Sequence, residues 1–324
     1  MLIDSVDKSL IVELIKNCRV SFSALASQFN IAVEEVNARI NQLVKNRIIL
    51  KFTIAPALSL FNAKDAILFF RSSNSILDLD RVTLLGVNPA VEYISLGNQT
   101  EGFSLIHYRS LDELNEVVNY FKQIHSGFTE LRVFPVRSLG GKLKKSPKKD
   151  LLVFKKIDWL ILAHLREQGR LSLNDLSVRT NIATETLVER LEYLRANNLI
   201  EETIHFNPSK IQRETWTIFN LELTLFTRPL LEELTRQLES LSSYWQPSCW
   251  KVIDQNVLLL GFLCSSYDEV EKIQNLLSDT PGLISIEKVM GGPTFFFPDF
   301  RDELLEEKKS HGWFSPEQWV VGLD

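Results

Sequence analysis

"NIAVEEVNARI" (residues 30–40) and "NIATETLVERL" (residues 181–191) are one pattern written twice in the same chain. Extended outward, the correspondence needs no gap from Asp7 to Leu50 when each residue is set against the one 151 positions later. It matches Asp7 with Asp158, Leu14 with Leu165, Arg19 with Arg170, Ser21 with Ser172, Leu25 with Leu176, Asn30 with Asn181, Arg39 with Arg190 and Leu43 with Leu194. A duplication that keeps turn and cap positions as well as apolar ones repeats a folded unit, because a core alone would constrain only the apolar ones.

Within the unit, Leu10, Ile11, Leu14 and Ile15 recur at helical spacing. Ser21 stands where it can cap a second, short helix with Leu25 inward. The "NI" turn leads to a third helix with Val36, Ile40 and Leu43 on one face, and "RIILKFTI" reads as a strand. Three helices followed by a strand describe a winged helix-turn-helix. The stretches that follow, beginning "AKDAILFF" and "TWTIFNLEL", each read as βαββαβ, a ferredoxin-like sandwich. "GFSLIHY" and "NVLLLGFL" are apolar on both alternating sets, so both sheet faces need cover, and the two halves are expected to pack sheet to sheet. The expected fold class is α+β, two winged helix-turn-helix modules alternating with two such sandwiches. The boundaries read as 1–54 and 55–141 for the first pair, 142–156 for a lysine-rich linker, 157–206 and 207–292 for the second pair, and 293–324 for a C-terminal acidic and aromatic extension.

These residues resemble the Lrp/AsnC, or feast/famine, transcriptional regulators: "DKSLIVELIKNCRVSFSALASQFNIAVEEVNARINQLVKNRII" is similar to their DNA-binding module, and the βαββαβ segment to their RAM sensor module. The resemblance implies a sequence-specific DNA-binding regulator whose RAM-like domains serve assembly and effector sensing. It implies double-stranded DNA as partner, a homodimer or higher oligomer, and a small-molecule effector. The family is normally one such unit per chain, so a fused tandem lets the two halves diverge.

On the third helix they have diverged. Asn37, Asn41, Gln42, Lys45 and Arg47 of the first copy stand against Val188, Glu192, Tyr193, Ala196 and Asn198 of the second, and only Arg39 is kept, as Arg190. Asn and Gln pair with adenine, and Arg with guanine or phosphate, whereas Glu opposes a phosphate wall. The first module is therefore expected to read DNA, through Ser21, Ser23, Asn37, Arg39, Asn41, Gln42, Lys45 and Arg47. The run "KLKKSPKKD" is either a solvated tether or, through Lys144 and Lys145, a grip on phosphates. The family's effectors bind near the turn between the second and third RAM strands. Here that turn reads "GNQTEGFSL" and "DQNVLLL", which lack the family's Gly-acidic-aromatic-Asp pattern; Gly97, Asn98 and Gly102 are the candidates to receive an effector.

Composition agrees with a folded protein that meets an anion at its front. Residues 1–54 hold seven Lys/Arg against five Asp/Glu, and residues 207–324 hold ten against eighteen, within a net charge of −5. Cys18, Cys249 and Cys264 have no metal-ligand spacing. No metal, cofactor or catalytic residue is expected, nor a membrane span, and the location is expected to be cytoplasmic. The extension is expected to pack on its own sensor sheet, or else to dock a protein partner.

Two other readings compete. Siroheme decarboxylases resemble the same tandem architecture and chain length, and as a family carry Arg- and His-rich segments that hold an acidic tetrapyrrole. The corresponding stretch, "IHFNPSKIQRETW", offers His205, Lys210 and Arg213, while the first copy's "IAPALSLFNAKD" offers almost nothing; His107 and His125 read as structural. The other is an interaction scaffold that no longer binds DNA. The leading expectation is the regulator, not an enzyme.

Overall fold

The computed structural model describes residues 1–73, 77–97, 100–139, 154–212, 215–239 and 245–310. The element order runs twice through one plan. The first copy is α1 (Ser5–Lys16), α2 (Phe22–Phe29), α3 (Val33–Lys45), β1 (Ile49–Pro56), β2 (Lys64–Ser72), α4 (Leu79–Gly86), β3 (Val91–Leu96), β4 (Glu101–Tyr108), α5 (Leu111–Ile124) and β5 (Phe128–Ser138). The second is α6 (Lys156–Glu167), α7 (Leu173–Thr180), α8 (Thr184–Ala196), β6 (Ile200–Phe206), β7 (Thr215–Leu223), α9 (Arg228–Glu239), β8 (Trp245–Val252), β9 (Val257–Cys264), α10 (Tyr267–Ser278) and β10 (Leu283–Gly291). Strand β11 (Thr294–Phe296) and helix α11 (Phe300–Ser310) follow. Among the described residues no helix is long and apolar enough to cross a membrane.

The chain divides into two compact units, and neither is one copy of the repeat. One unit gathers the helix-turn-helix modules of both copies with the residues from Pro298 onward; the other gathers the two ferredoxin-like halves with the first eight residues.

In the helix-turn-helix unit the local signals act as read. Ser21 Oγ accepts from Ala24 N–H at 3.1 Å and Ser172 Oγ from Asp175 N–H at 3.0 Å, capping α2 and α7. Asn30 and Asn181 both take the left-handed conformation, φ 53° and 55°, which turns the chain into the third helix. The two wings do not stand apart. Strands β1 and β6 pair antiparallel, with Phe52 opposite Ile204 and Thr53 opposite Thr203, a register that maps onto itself at the repeat offset. The repeat thus builds an internal pseudo-dimer of helix-turn-helix modules.

In the sheet unit nine strands run in the order β10-β7-β9-β8-β5-β2-β4-β3-β11. The two halves join edge to edge where β5 meets β8, with Val136, Arg137 and Ser138 opposite Val252, Lys251 and Trp250. Side chains on one face form a shared core of Ile67, Phe69, Phe103 and Phe134 from the first half with Ile218, Val252, Leu259 and Val289 from the second. The opposite face of each half is covered by its own helices, α4 and α5 over Leu68, Ile94 and Ile106, and α9 and α10 over Phe219, Leu260 and Phe262. This answers the doubly apolar strands: one face is buried by the sister half, the other by helices.

The extension departs from expectation. Strand β11 adds to β3 of the first half, with Phe295 opposite Ile94, rather than to the second half's own sheet. In the other unit α11 packs on α6, where Arg166 pairs with Asp299 (3.2 Å) and Asp302 (2.6 Å), and Arg301 pairs with Asp299 (2.6 Å) and Glu201 (3.0 Å). Asp299 and Arg301 are almost fully buried, so the start of α11 belongs to an interior ion network, while Glu303, Glu306 and Glu307 stay exposed.

Candidate functional site

Three places follow from the sequence: the third helix of each helix-turn-helix, the sensor turns, and the basic stretch after β6. On α3 the side chains of Asn37, Asn41, Gln42, Lys45 and Arg47 are exposed. Arg47 lies just past the helix end at φ 57°, matched by Asn198 at 55° in the second copy. Asn41 Nδ2 donates to Asn37 Oδ1 at 3.1 Å, and Arg39 Nε donates to Glu35 Oε1 at 2.9 Å, so Arg39 is tied down by its own helix. Ser21 caps α2, and its hydroxyl lies 3.1 Å from that of Ser23. Lys144 and Lys145 lie outside the described residues, as do Asn98 and Arg213.

The second module differs in kind. Arg190 turns inward and makes a two-point contact with Asp158, Nε to Oδ1 at 2.8 Å and Nη2 to Oδ2 at 2.7 Å, with its guanidinium 4.5 Å from the Tyr193 ring. Helical periodicity places it on an outer face, but the carboxylate of Asp158 one helix away recruits it to the interior. Glu185, Glu189 and Glu192 are exposed on α8, as is Arg195 in its last turn, which pairs with Glu202 at 2.8 Å.

At the first sensor turn the glycines serve packing. A Cβ on Gly97 would lie 2.2 Å from Met290 O, and one on Gly102 would lie 2.4 Å from Ser95 O and 2.6 Å from the Phe70 ring. Gly97 N–H already donates to Glu101 O at 2.7 Å. Close backbone approach explains both positions without a ligand.

The basic stretch is split. His205 is buried on β6, opposite Lys51 of β1, whose ammonium reaches Glu167 at 2.6 Å. Lys210 closes the 3-10 turn Pro208–Lys210, exposed, with its carbonyl accepting from the N-terminal ammonium at 3.3 Å. His107 is held between Asp65 (Nδ1, 2.9 Å) and Glu92 (Nε2, 3.0 Å) inside the first ferredoxin-like half. His125 bonds Ser72 Oγ at 2.9 Å, and its pKa is lowered chiefly by burial. Burial pushes the thiols of Cys18 and Cys249 up to about 12, which makes them unreactive. No cluster of His, Cys, Asp and Glu among the described residues could hold a metal ion.

One place went unnoticed in the sequence. Where β5 meets β8, Arg137 faces Lys251 across the strand pair beside a cavity of about 320 Å³ lined also by Phe226 and Asp254. Strand register between halves is not written in either half's own periodicity, so this pair was not legible.

A family profile describing the AsnC-type helix-turn-helix domain matches residues 3–44. Comparison with curated proteins returns no match. Among solved structures, the siroheme decarboxylase NirDL superposes with a TM-score of 0.58 at 14% identity, over 95% of this chain and 99% of that one. The structure of NirDL in co-complex with an iron-uroporphyrin III analogue superposes at 0.56, with the same identity and coverage. E. coli AsnC matches over 45% of this chain and all of its own length, at 21% identity and a TM-score of 0.32. The correspondence along the whole chain is therefore with an enzyme, and the helix-turn-helix match reaches only the first 44 residues. The expected reading as a sequence-specific transcriptional regulator is withdrawn on that ground, and with it the expectation that the chain is not an enzyme. The first helix-turn-helix is of the AsnC type, and the chain carries two helix-turn-helix and two ferredoxin-like units in one polypeptide.

Proposed function

We propose that this chain is a tetrapyrrole-processing enzyme of the siroheme-decarboxylase kind. The observation that carries the reading is the fold match over 95% of this chain and 99% of NirDL, which takes in both helix-turn-helix modules, both ferredoxin-like halves and their order. Glu185, Glu189 and Glu192 on α8 argue against a second DNA reader, and Lys210 is the exposed cation assigned to an acidic ligand.

The chemistry asked of the protein is limited. Decarboxylation breaks the bond between a side-chain carbon and its carboxylate; carbon dioxide leaves, the electron pair stays on carbon, and a proton is added there. The protein's part is to pair the remaining carboxylates with cations, seat the ring between apolar walls, and deliver that proton. Lys210 supplies an exposed cation.

Absorbance titration with iron uroporphyrin III tests the binding step. The expected result is a saturable shift of the main tetrapyrrole band at one ligand per chain, weakened in Lys210→Gln. An unshifted band at ligand excess would sink the reading.

A further inference from the structure

The seam between the two ferredoxin-like halves carries an arrangement that packing alone does not explain. Val136, Trp250 and Val252 point into the shared core, so alternation puts Arg137 and Lys251 together on the helix-bearing face. Like charges directly opposite in an antiparallel pair repel. Burial, and then the charge of Arg137, hold the Lys251 ammonium below its ordinary pKa. Lys251 Nζ donates to the carbonyls of Val252 and Gln255 and lies 5.2 Å from the centre of the Phe226 ring. Arg137 is exposed and forms no ion pair with a described carboxylate. The cavity beside them, about 320 Å³, has Phe226 and Ile253 as apolar lining and Asp254 as the one acidic group among the described residues.

We propose that this seam binds a small monocarboxylate with a flat apolar body. The two cations form a fork for one carboxylate, which would relieve their mutual repulsion. The Phe226 ring and Ile253 offer the body an apolar wall. Asp254 disfavours a second negative charge on the ligand, so a monoanion is preferred to a polyanion. The volume is at the small end for ligand pockets and suits a single ring. The second copy does not repeat the pair: strand register (Phe134 opposite Ile67, Val289 opposite Ile218) sets Arg137 against Gly292, and that of β8 and β3 (Lys251 opposite Leu258, Leu96 opposite Gly102) sets Lys251 against Leu96. The inference goes beyond the tetrapyrrole reading and does not rest on it.

Benzoate is the probe, titrated calorimetrically into the full chain, with inorganic phosphate and phthalate as comparisons. Saturable one-to-one binding of benzoate that raises the unfolding temperature is expected, with phosphate and phthalate weaker. Arg137→Gln should lose roughly tenfold or more in affinity, the loss of a charge-assisted contact. The same variant should unfold no more easily than the parent without ligand, because a repulsion is gone. Asp254→Asn should narrow the gap between phthalate and benzoate. Absence of saturable benzoate binding, unchanged affinity in Arg137→Gln, or phosphate binding as tightly as benzoate would each overturn the assignment.

Discussion

Arg19 and Arg170 each hold the other's module. Arg19 Nη1 donates to the carbonyls of Gly169 (2.8 Å) and Leu171 (3.0 Å), and Arg170 donates to those of Cys18 (2.9 Å) and Val20 (3.1 Å). At the repeat offset each arginine maps onto the other, and so do the carbonyls they reach. The pair is a pseudo-two-fold clasp, and its strength can be measured. Removing a charged donor from partly buried carbonyls costs about 1.5–3 kcal/mol. Arg170 also lies 4.4 Å from the Phe22 ring and 5.6 Å from that of Phe52, so Arg170→Ala should destabilise more than Arg19→Ala in urea unfolding. Equal, negligible losses would mean that the wing strands alone hold the modules together.

Gly169 sits in the same junction. Its N–H donates to Phe52 O at 2.8 Å, and an added Cβ would lie 2.7 Å from Phe52 C and Thr53 N. Backbone on both sides leaves nothing flexible to move. Gly169→Ala should therefore lower the thermal midpoint, by an amount fitting about 1–3 kcal/mol of overpacking; an unchanged midpoint would show that the clasp has slack.

Asp158 is fully buried, and Arg190 is its charge partner at 2.7 Å. Arg190→Ala leaves that carboxylate in the interior and should cost about 3–5 kcal/mol. If Arg190 stood on a free reading face, the same change would be almost neutral, so a urea titration separates the two. Asp299→Asn should act similarly through Arg166 and Arg301, loosening α11 from α6.

The buried thiols fix a pH dependence. Cys18 and Cys249 are both raised to about 12, chiefly by burial, so the native state keeps protons that the unfolded chain gives up from about pH 8.5. Their contribution is complete below that value and falls as pH rises towards 12, by about 1.4 kcal/mol per pH unit for each thiol. Cys249→Ala should flatten the decline in urea midpoint between pH 8.5 and 10.5 without changing it below pH 8. A parallel decline in the variant would assign the alkaline loss elsewhere.

Much of this architecture is legible in the chain itself. Helical spacing, the capping serines and the left-handed asparagines are local, so Ser21, Ser172, Asn30 and Asn181 announce two helix-turn-helix modules before any contact is known. What joins the copies is not local. The clasp needs Arg19 and Arg170 to find carbonyls about 150 residues away, and the register of β5 on β8 depends on how two finished halves meet. Arg190 reads in sequence as an outer residue of its helix, yet it reaches the buried Asp158, because a periodic pattern places a side chain without saying which way a long one bends. The extension shows the same: nothing local in its acidic residues says that Asp299 and Asp302 face Arg166.

Incubation of the purified chain with siroheme, followed by mass analysis of the tetrapyrrole and detection of released carbon dioxide, tests the proposed activity most directly. The account predicts loss of carbon dioxide from the substrate in proportion to enzyme, with Lys210→Gln slower. Siroheme recovered unchanged after many equivalents of active-folded protein, with no band shift on mixing, would contradict it.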